Sequence, residues 1–257
     1  MNSAFPLLGL SGERQRLRQA FGKRESLLVT GPAGAGKTAL VHSVIADLPN
    51  RRGIVPLVYS ANLHRLLMEL TRALLLSNHS ALRGRVKTGA DVRKWLSAQT
   101  SVHLKGLLWT SLEAEPLTLF LDGIDGASFP MYRFLQRLYF ARGMAIIATA
   151  RDVGSLGALS RLFWDPRTMV QLRPLSHTDS DRLFDLAAKA FGLEELDLAE
   201  FRKKVLESAK GNPGEIVEMC KLASNPLYVS GKHIKFAPLR IDAMMRFLPA
   251  PSAHRAR

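Results

Sequence analysis

The chain has one cysteine, Cys220, among its 257 residues. A single cysteine excludes a disulfide within the chain and any cysteine-rich zinc site, and it suits a reducing, cytoplasmic environment. No apolar run approaches the roughly 20 residues that a membrane-spanning helix requires, so we expect no transmembrane segment. The N-terminal stretch MNSAFPLLGL has no basic start and only a short apolar run. We therefore expect no secretory signal.

The whole chain has a formal net charge of +14, and acidic residues are scarce in two of its segments. Residues 51–105 hold ten Lys or Arg against two acids, and residues 226–257 hold six against one. A concentrated positive field favours a polyanionic partner, so these segments predict binding of nucleic acid, with DNA as the first choice. The alternative is that the charge only reflects an arginine-rich proteome.

Short apolar runs alternate with amphipathic stretches along the first two thirds of the chain. This alternation predicts an α/β fold, with a parallel five-stranded sheet covered by helices. The predicted strands are 26–30, 54–60, 117–121, 144–149 and 168–172. Between the second and third strands, leucines at helical spacing from Leu63 and a second stretch after Asp91 predict helices. The basic segment 77–90 between them predicts an exposed loop.

The pattern changes after Pro174. Helices are predicted from Ser176 to Phe191, near 197–210 and after Pro213, with no strand between them. We therefore predict three parts: a core (1–173), a small helical lid (174–225) and a basic C-terminal part (226–257). The last part is predicted to contain a hairpin, a helix and a disordered tail.

Residues 31–38 read GPAGAGKT and lie between a predicted strand and a predicted helix. This is the P-loop pattern G-x-x-x-x-G-K-[ST], in which glycines let backbone N–H groups wrap the phosphates of a nucleotide closely. The start of the following helix directs its positive dipole end at the same phosphates. The sequence predicts that the whole segment binds ATP, that is Gly31, Pro32, Ala33, Gly34, Ala35, Gly36, Lys37 and Thr38. Lys37 would contact the β- and γ-phosphates, and the Thr38 hydroxyl would bind Mg²⁺.

The apolar strand at 117–121 leads directly into Asp122, which is predicted to hold Mg²⁺ together with Thr38. Hydrolysis also needs a group that deprotonates the attacking water. Many such ATPases carry a glutamate directly after the metal-linked aspartate, but this chain has Gly123 there. Asp125 is the nearest substitute and is predicted to be the catalytic base. The alternative is a structural loop acid in a slow or inactive hydrolase.

Three arginines are candidates for contacts with the γ-phosphate. Arg151 follows the strand at 144–149, and ligands of parallel sheets bind at the carboxyl ends of strands, so Arg151 is predicted to contact the γ-phosphate. Arg161 and Arg167 lie at the entry to the fifth strand, and either could reach the nucleotide of a neighbouring subunit as an arginine finger. The alternative for each is an exposed arginine without a catalytic role.

With these motifs the chain resembles the AAA+ ATPases, most closely their STAND/NACHT and origin-recognition-like branches. The opening LSGERQRLRQAF looks like the family's N-terminal signature, which packs near the adenine. LFLDGID looks like the NACHT form of the Walker B motif, in which the second acid matches Asp125; such proteins usually continue with a glutamate where this chain has Gly126. GNPGEI looks like the motif by which the family's lid approaches the nucleotide. The resemblance covers residues 8–223 and implies a P-loop NTPase core followed by a helical lid.

The resemblance and the charge together suggest an ATP-dependent, ATP-hydrolysing switch that forms a homo-oligomer when ATP is bound and acts on DNA or another polyanion. ATP would bridge core and lid, so the lid position would differ between the bound and free states. The alternative is a STAND-type signalling ATPase that acts through a protein partner.

Overall fold

In a computed structural model, residues 5–51, 53–77, 79–82 and 92–247 are described. Five parallel strands form one sheet in the order β2-β3-β4-β1-β5. The strands are β1 (Leu27–Thr30), β2 (Ile54–Val58), β3 (Thr118–Asp122), β4 (Ala145–Ala150) and β5 (Met169–Gln171). Each lies within two residues of its predicted position, and the α/β fold class is confirmed.

Among the described residues, six α-helices precede β5 and four follow it. The first six are α1 (Ser11–Lys23), α2 (Lys37–Asp47), α3 (Leu63–Leu76), α4 (Val92–Ser97), α5 (Ser101–Ala114) and α6 (Phe129–Phe140). The last four are α7 (His177–Ala190), α8 (Leu198–Ala209), α9 (Pro213–Ala223) and α10 (Phe236–Phe247). A short antiparallel hairpin, β6 (Val229–Ser230) and β7 (His233–Ile234), precedes α10.

The described residues pack as two compact units. One unit comprises residues 12–31 and 41–171 and holds the five-stranded sheet. The other comprises residues 5–11, 32–40 and 172–247, so it joins the turn after β1 to the C-terminal helices. The predicted domain boundaries at 173/174 and 225/226 stay a prediction.

The core of the sheet unit is built from leucine-rich helices packed on buried strands. Every residue of β1 and β4 is buried, which explains why their sequences are continuously apolar rather than alternating. On α3 the buried residues include Leu66, Leu67, Leu70 and Leu74, the stripe predicted from helical spacing. These leucines belong to one cluster with the buried side chains of α5, α6 and the sheet.

The second unit has its own core, formed by the helices that follow β5. Phe184, Phe201 and Ile216 lie at its centre, and Leu239 of α10 is buried in the same cluster. The hairpin and α10 therefore share a core with the three predicted lid helices. Cys220 is fully buried there, and burial raises the pKa of its thiol to about 12, which fits a structural role.

Several predicted features fall outside the described residues. They are most of the basic loop, Asp91 before the second helical stretch, and the tail predicted to be disordered. Of the helices in the described ranges, none combines the length and apolar composition needed to cross a membrane.

Candidate functional site

The segment after β1 turns sharply before α2 begins at Lys37. Gly34 has φ 80° and Gly36 has φ 90°, in the left-handed region where a Cβ would cause strain. The Lys37 ammonium donates a hydrogen bond to the Pro32 carbonyl at 2.8 Å, across the turn. Residues 31–38 thus form a tight strand-to-helix turn with bare backbone at two positions.

This turn fits a phosphate group. The 11-residue helix α2 begins at this turn, and an anion beside a helix N-terminus is stabilised by the first backbone N–H groups and by the helix dipole. Lys37 adds a full positive charge at the same end, and Thr38 follows it in the first turn. The donors, the charge and the glycines are those that a triphosphate requires.

The N-terminus of α9 contacts this turn directly. The Asn212 side-chain amide donates to the Ala33 carbonyl at 2.8 Å, and the Gly214 N–H donates to the Gly34 carbonyl at 3.0 Å. Asn212 also caps its own helix, because its Oδ1 accepts from the Gly214 N–H at 3.0 Å. One asparagine thus starts α9 and joins it to the turn.

Gly214 allows this close approach, and replacing it with alanine tests the contact. A Cβ at Gly214 would lie 2.6 Å from Gly34 Cα and 2.9 Å from Gly34 O. Both are backbone atoms that cannot rotate away, so the turn and α9 would have to separate. Overpacking of this kind costs about 1–3 kcal/mol. We expect Gly214→Ala to weaken binding of a fluorescent ATP analogue by about 5- to 150-fold.

Gly106→Ala is the matched control for this variant. Gly106 also lies within a helix, but a Cβ there would meet nothing within 4 Å. We expect its affinity for the nucleotide to equal that of the unmutated chain. Unchanged affinity in Gly214→Ala would show that the contact between α9 and the turn is unimportant for binding.

A cavity of about 200 Å³ lies beside the turn. Its lining includes the backbone of Gly34 and Gly36 together with the apolar side chains of Leu7, Leu10 and Val217. An apolar pocket next to this glycine-rich turn suits the flat, apolar faces of a nucleotide base.

The carboxyl ends of β1, β3 and β4 bring further polar groups together. Asp122 ends β3, and its Oδ1 accepts from the Thr149 hydroxyl at 2.6 Å. The Thr149 hydroxyl oxygen accepts from the Gly123 N–H at 2.8 Å. On the neighbouring strand, the Gly31 N–H donates to the Arg151 carbonyl at 3.1 Å. The first residue of the turn and Asp122 therefore lie at the same edge of the sheet.

Tyr59 follows β2 at this edge, where its N–H donates to the Asp122 carbonyl at 2.9 Å. Its hydroxyl is buried and has no hydrogen-bond partner among the described residues. Burial, and secondly the charge of Asp125, raise the pKa of the phenol to about 12. Tyr59 is therefore a neutral group close to the predicted catalytic acid.

Asp125 and Arg151, both predicted from sequence, lie together. Asp125 Oδ2 is 3.9 Å from the Arg151 guanidinium, and Oδ1 lies 3.4 Å from the Arg151 backbone nitrogen. Asp125 Oδ1 also accepts from the Ser155 hydroxyl at 2.6 Å. The predicted base thus has a defined orientation.

The two candidate arginine fingers have local partners. Arg167 forms an ion pair with Asp165 at 2.8 Å, and the hydrogen bonds between them lower the pKa of Asp165. The Arg161 guanidinium lies 5.9 Å from the Tyr132 ring centroid. Neither arrangement favours one of these residues over the other as a finger.

Sequence reasoning assigned no role to four residues at these places: Tyr59, Thr149, Ser155 and Asn212. Thr149 had a usable signal, because it is a polar residue near the end of a buried strand, two residues before Arg151. Asn212 lies in GNPGEI, which was associated with the nucleotide only as a motif. Tyr59 and Ser155 had no such signal, because the acids to which they are hydrogen-bonded, Asp122 and Asp125, are distant in sequence.

The family model described as AAA ATPase domain matches residues 6–147, which is more than half of the chain. The chain belongs to the AAA ATPase domain family. Membership implies that it binds a nucleotide, typically with Mg²⁺. No curated protein matches the chain significantly.

Solved structures of this ATPase fold also resemble the chain. A signal transduction ATPase with numerous domains (STAND) and a tetratricopeptide repeat sensor, from Pyrococcus horikoshii, is 16% identical with a TM-score of 0.53, over 96% of this chain and 33% of that one. A Walker-type ATPase of Pyrococcus abyssi is 15% identical with a TM-score of 0.57, and the match covers 94% of this chain and 71% of that one. Cdc6p from Pyrobaculum aerophilum is 16% identical with a TM-score of 0.53, and the match covers 94% of this chain and 61% of that one.

These likenesses agree with the resemblance to AAA+ and STAND proteins seen in the sequence. The chain spans only about a third of the length of the STAND protein. At such low identities the likeness concerns the fold.

Proposed function

We propose that this AAA ATPase domain is a molecular switch that binds ATP with Mg²⁺, hydrolyses the ATP, self-associates in the ATP-bound state and acts on DNA. The observation that carries the proposal is the direct hydrogen bonding between α9 and residues 33–34 of the turn. A triphosphate that occupies this turn must act on the same backbone that holds α9. Binding and loss of the γ-phosphate would therefore change the position of the lid helices.

Each predicted site residue has a place in this proposal. The triphosphate lies on residues 31–38, with Lys37 at the β- and γ-phosphates, and the adenine occupies the adjoining apolar cavity. Thr38 and Asp122 hold Mg²⁺, Asp125 accepts a proton from the attacking water, and Arg151 contacts the γ-phosphate. Arg161 or Arg167 would act on the nucleotide of a neighbouring copy. The single, buried Cys220 suits action in the cytoplasm.

Size-exclusion chromatography with light scattering tests the switch directly. The full chain would be run with ATP, with ADP and without nucleotide, each with and without DNA. We expect a larger mass with ATP than with ADP, and a further increase with DNA. The same monomeric mass under every condition would rule out nucleotide-controlled self-association.

The basic segment 51–105 supports DNA as the partner. Within its described part, Arg65 and Lys94 are exposed, and neither forms an ion pair with another described residue. Arg83, Arg85 and Lys87 lie outside the described residues but contribute three of the ten cations of this segment. Phosphate contacts of such cations release counterions and make binding salt-dependent.

Charge reversal at Arg83, Arg85 and Lys87 to Glu is expected to weaken retention of duplex DNA and to lower its salt dependence. Each lost phosphate contact reduces the slope of log K against log salt by about 0.9, or about 2.7 for three contacts. An electrophoretic shift series at several salt concentrations measures this. Residues 176–225 hold ten acids against seven Lys or Arg. Reversal of Lys189, Lys203 and Lys221 in this segment changes the net charge equally and should leave the slope unchanged.

A specific observation favours a second candidate, action through a protein partner. The outward face of α10 carries Ile241, Met244 and Met245, which are 63%, 56% and 64% exposed. Such an apolar face suits a protein surface better than phosphates. The shift series separates the two candidates, because absence of DNA retention by the unmutated chain at low salt would leave only the protein partner.

A further inference from the structure

The loops that follow β3 and β4 are joined by main-chain hydrogen bonds beyond the ends of the strands. Ile124 N–H donates to the Thr149 carbonyl at 2.8 Å, and Gly126 N–H donates to the Ser155 carbonyl at 2.7 Å. These two bonds flank Asp125 in sequence. The backbone at Asp125 is therefore fixed relative to the loop that carries Ser155, without help from long side chains.

Ser155 is itself held in a tight turn. Its N–H donates to Asp152 Oδ1 at 2.8 Å, and its carbonyl accepts from Gly126. Two residues on, Gly157 has φ 59°, and a Cβ there would lie 2.8 Å from the Ala127 carbonyl oxygen. Only glycine permits this approach of the two loops. The Ser155 side chain thus projects from a backbone that is restrained on both sides.

The single hydroxyl proton of Ser155 has two acceptors within reach. Asp125 Oδ1 lies 2.6 Å from Ser155 Oγ, and the Asp152 carbonyl oxygen lies 2.8 Å from it. A carboxylate accepts more strongly than a carbonyl, and 2.5–2.7 Å is the typical range for such a charged bond. The proton is therefore directed to Asp125.

The two oxygens of Asp125 then have different surroundings. Oδ1 is occupied by the Ser155 hydroxyl and faces the Arg151 N–H. Oδ2 is 3.9 Å from the Arg151 guanidinium, which is longer than a hydrogen bond, so it keeps acceptor capacity. The bond to Oδ1 fixes the orientation of the carboxylate, and Oδ2 can still accept a hydrogen bond or a proton.

We propose that Ser155 is a positioning residue for ATP hydrolysis, which holds Oδ1 of Asp125 so that Oδ2 faces the attacking water. The inference rests on the proposed function, in which Asp125 is the base. The water oxygen bonds to the γ-phosphorus, the bond from that phosphorus to the bridging oxygen of ADP breaks, and the water proton passes to Oδ2. Ser155 keeps its own proton throughout.

Steady-state ATP hydrolysis by the full chain tests the inference, with ATP affinity measured in parallel by titration. Ser155→Ala leaves the backbone bonds in place but frees the carboxylate to rotate, and misplacement of a catalytic group lowers rates by up to about 100-fold. We expect kcat to fall about 10- to 100-fold, with KM and ATP affinity unchanged. Ser155→Thr keeps the hydroxyl and should restore most of kcat.

Two comparisons separate positioning from a structural effect. Ser160→Ala is the matched control. Ser160 lies in the same loop region, and its hydroxyl donates to the Gly157 carbonyl at 2.9 Å. This variant should hydrolyse ATP like the unmutated chain. In an Asp125→Asn background, Ser155→Ala should change kcat by less than about 2-fold, because coupled residues are not additive. If Ser155→Ala does not fold, Ser155→Cys, with a weaker donor of similar size, replaces it in every comparison.

The outcomes distinguish the inference from the function on which it rests. Normal kcat in Ser155→Ala, or a full effect of that change in the Asp125→Asn background, overturns the positioning role and leaves ATP hydrolysis in place. An unmutated chain that binds ATP but never releases phosphate overturns hydrolysis, and the role of Ser155 with it. A fall in kcat that Ser155→Thr does not restore also overturns the positioning role.

Discussion

Replacing Lys37 with alanine should abolish detectable ATP binding. The lysine ammonium lies at the start of α2 and already spans the turn, where it donates to the Pro32 carbonyl at 2.8 Å. On the β- and γ-phosphates it would make charge-assisted hydrogen bonds, which contribute about 1.5–3 kcal/mol each. Loss of two such bonds raises the Kd by about 100-fold or more. A titration with a fluorescent ATP analogue measures the change.

The matched control for this variant is Lys203→Ala. Lys203 lies on α8, is exposed and belongs to the same compact unit, so its removal changes the net charge equally. We expect it to bind ATP normally. If Lys37→Ala also kept full affinity, residues 31–38 could not be the phosphate site, and every role that depends on them would have to be abandoned.

Asp125→Asn should bind ATP but hydrolyse it about 10²–10⁴-fold more slowly, the usual range for a general base. Asparagine has the same shape, and its carbonyl oxygen can still accept from the Ser155 hydroxyl, which lies 2.6 Å from Asp125 Oδ1. The change therefore keeps the shape of the side chain and its bond to Ser155, but removes the capacity to take a proton together with the negative charge that faces Arg151. Phosphate release under saturating ATP measures turnover.

Asp47→Asn serves as its control. Asp47 is a carboxylate at the end of α2, where hydrogen bonds from Arg14 and Arg18 lower its pKa. Its replacement removes one negative charge within the sheet unit without touching the edge at Asp122, and turnover should stay normal. Normal turnover in Asp125→Asn would instead leave Asp125 as the structural loop acid considered from the sequence.

The strands could be located from sequence because each is a short apolar run between clear breaks. β4 reads AIIATA and is buried at all six positions, so no polar residue obscured it. The lid helices could be located by their caps: Ser176 accepts from the Asp179 N–H at 3.1 Å, and Asn212 precedes Pro213 at the start of α9. Such signals are local, so a single sequence carries them.

The helices between β2 and β3 were harder to separate. α5 contains buried Leu104, Leu107, Leu108 and Leu112, yet it follows α4 after a gap of only three residues, 98–100. Without a proline or glycine in that gap, the boundary depends on Thr100, which accepts from the His103 N–H at 3.2 Å. A threonine cap is too common to be decisive in a sequence.

The sequence also did not show which acids and arginines of the candidate site lie close together. Asp125 and Arg151 could both be proposed, because each follows a predicted strand. Their separation of 3.9 Å could not be derived, since it depends on β3 and β4 being neighbours in the sheet. The order of parallel strands is set by crossovers, whose path a local pattern does not encode.

The α/β class, the strand positions and the phosphate-loop pattern of GPAGAGKT can be read from the amino-acid order alone, because apolar periodicity and glycine placement act within a few residues. Which side chains contact each other depends instead on the folded chain. Asn212 bonds to Ala33 across 179 positions, and Ser155 bonds to Asp125 across 30. Hydrogen bonds need donor and acceptor within about 3 Å and in line, a condition set by how the whole chain packs.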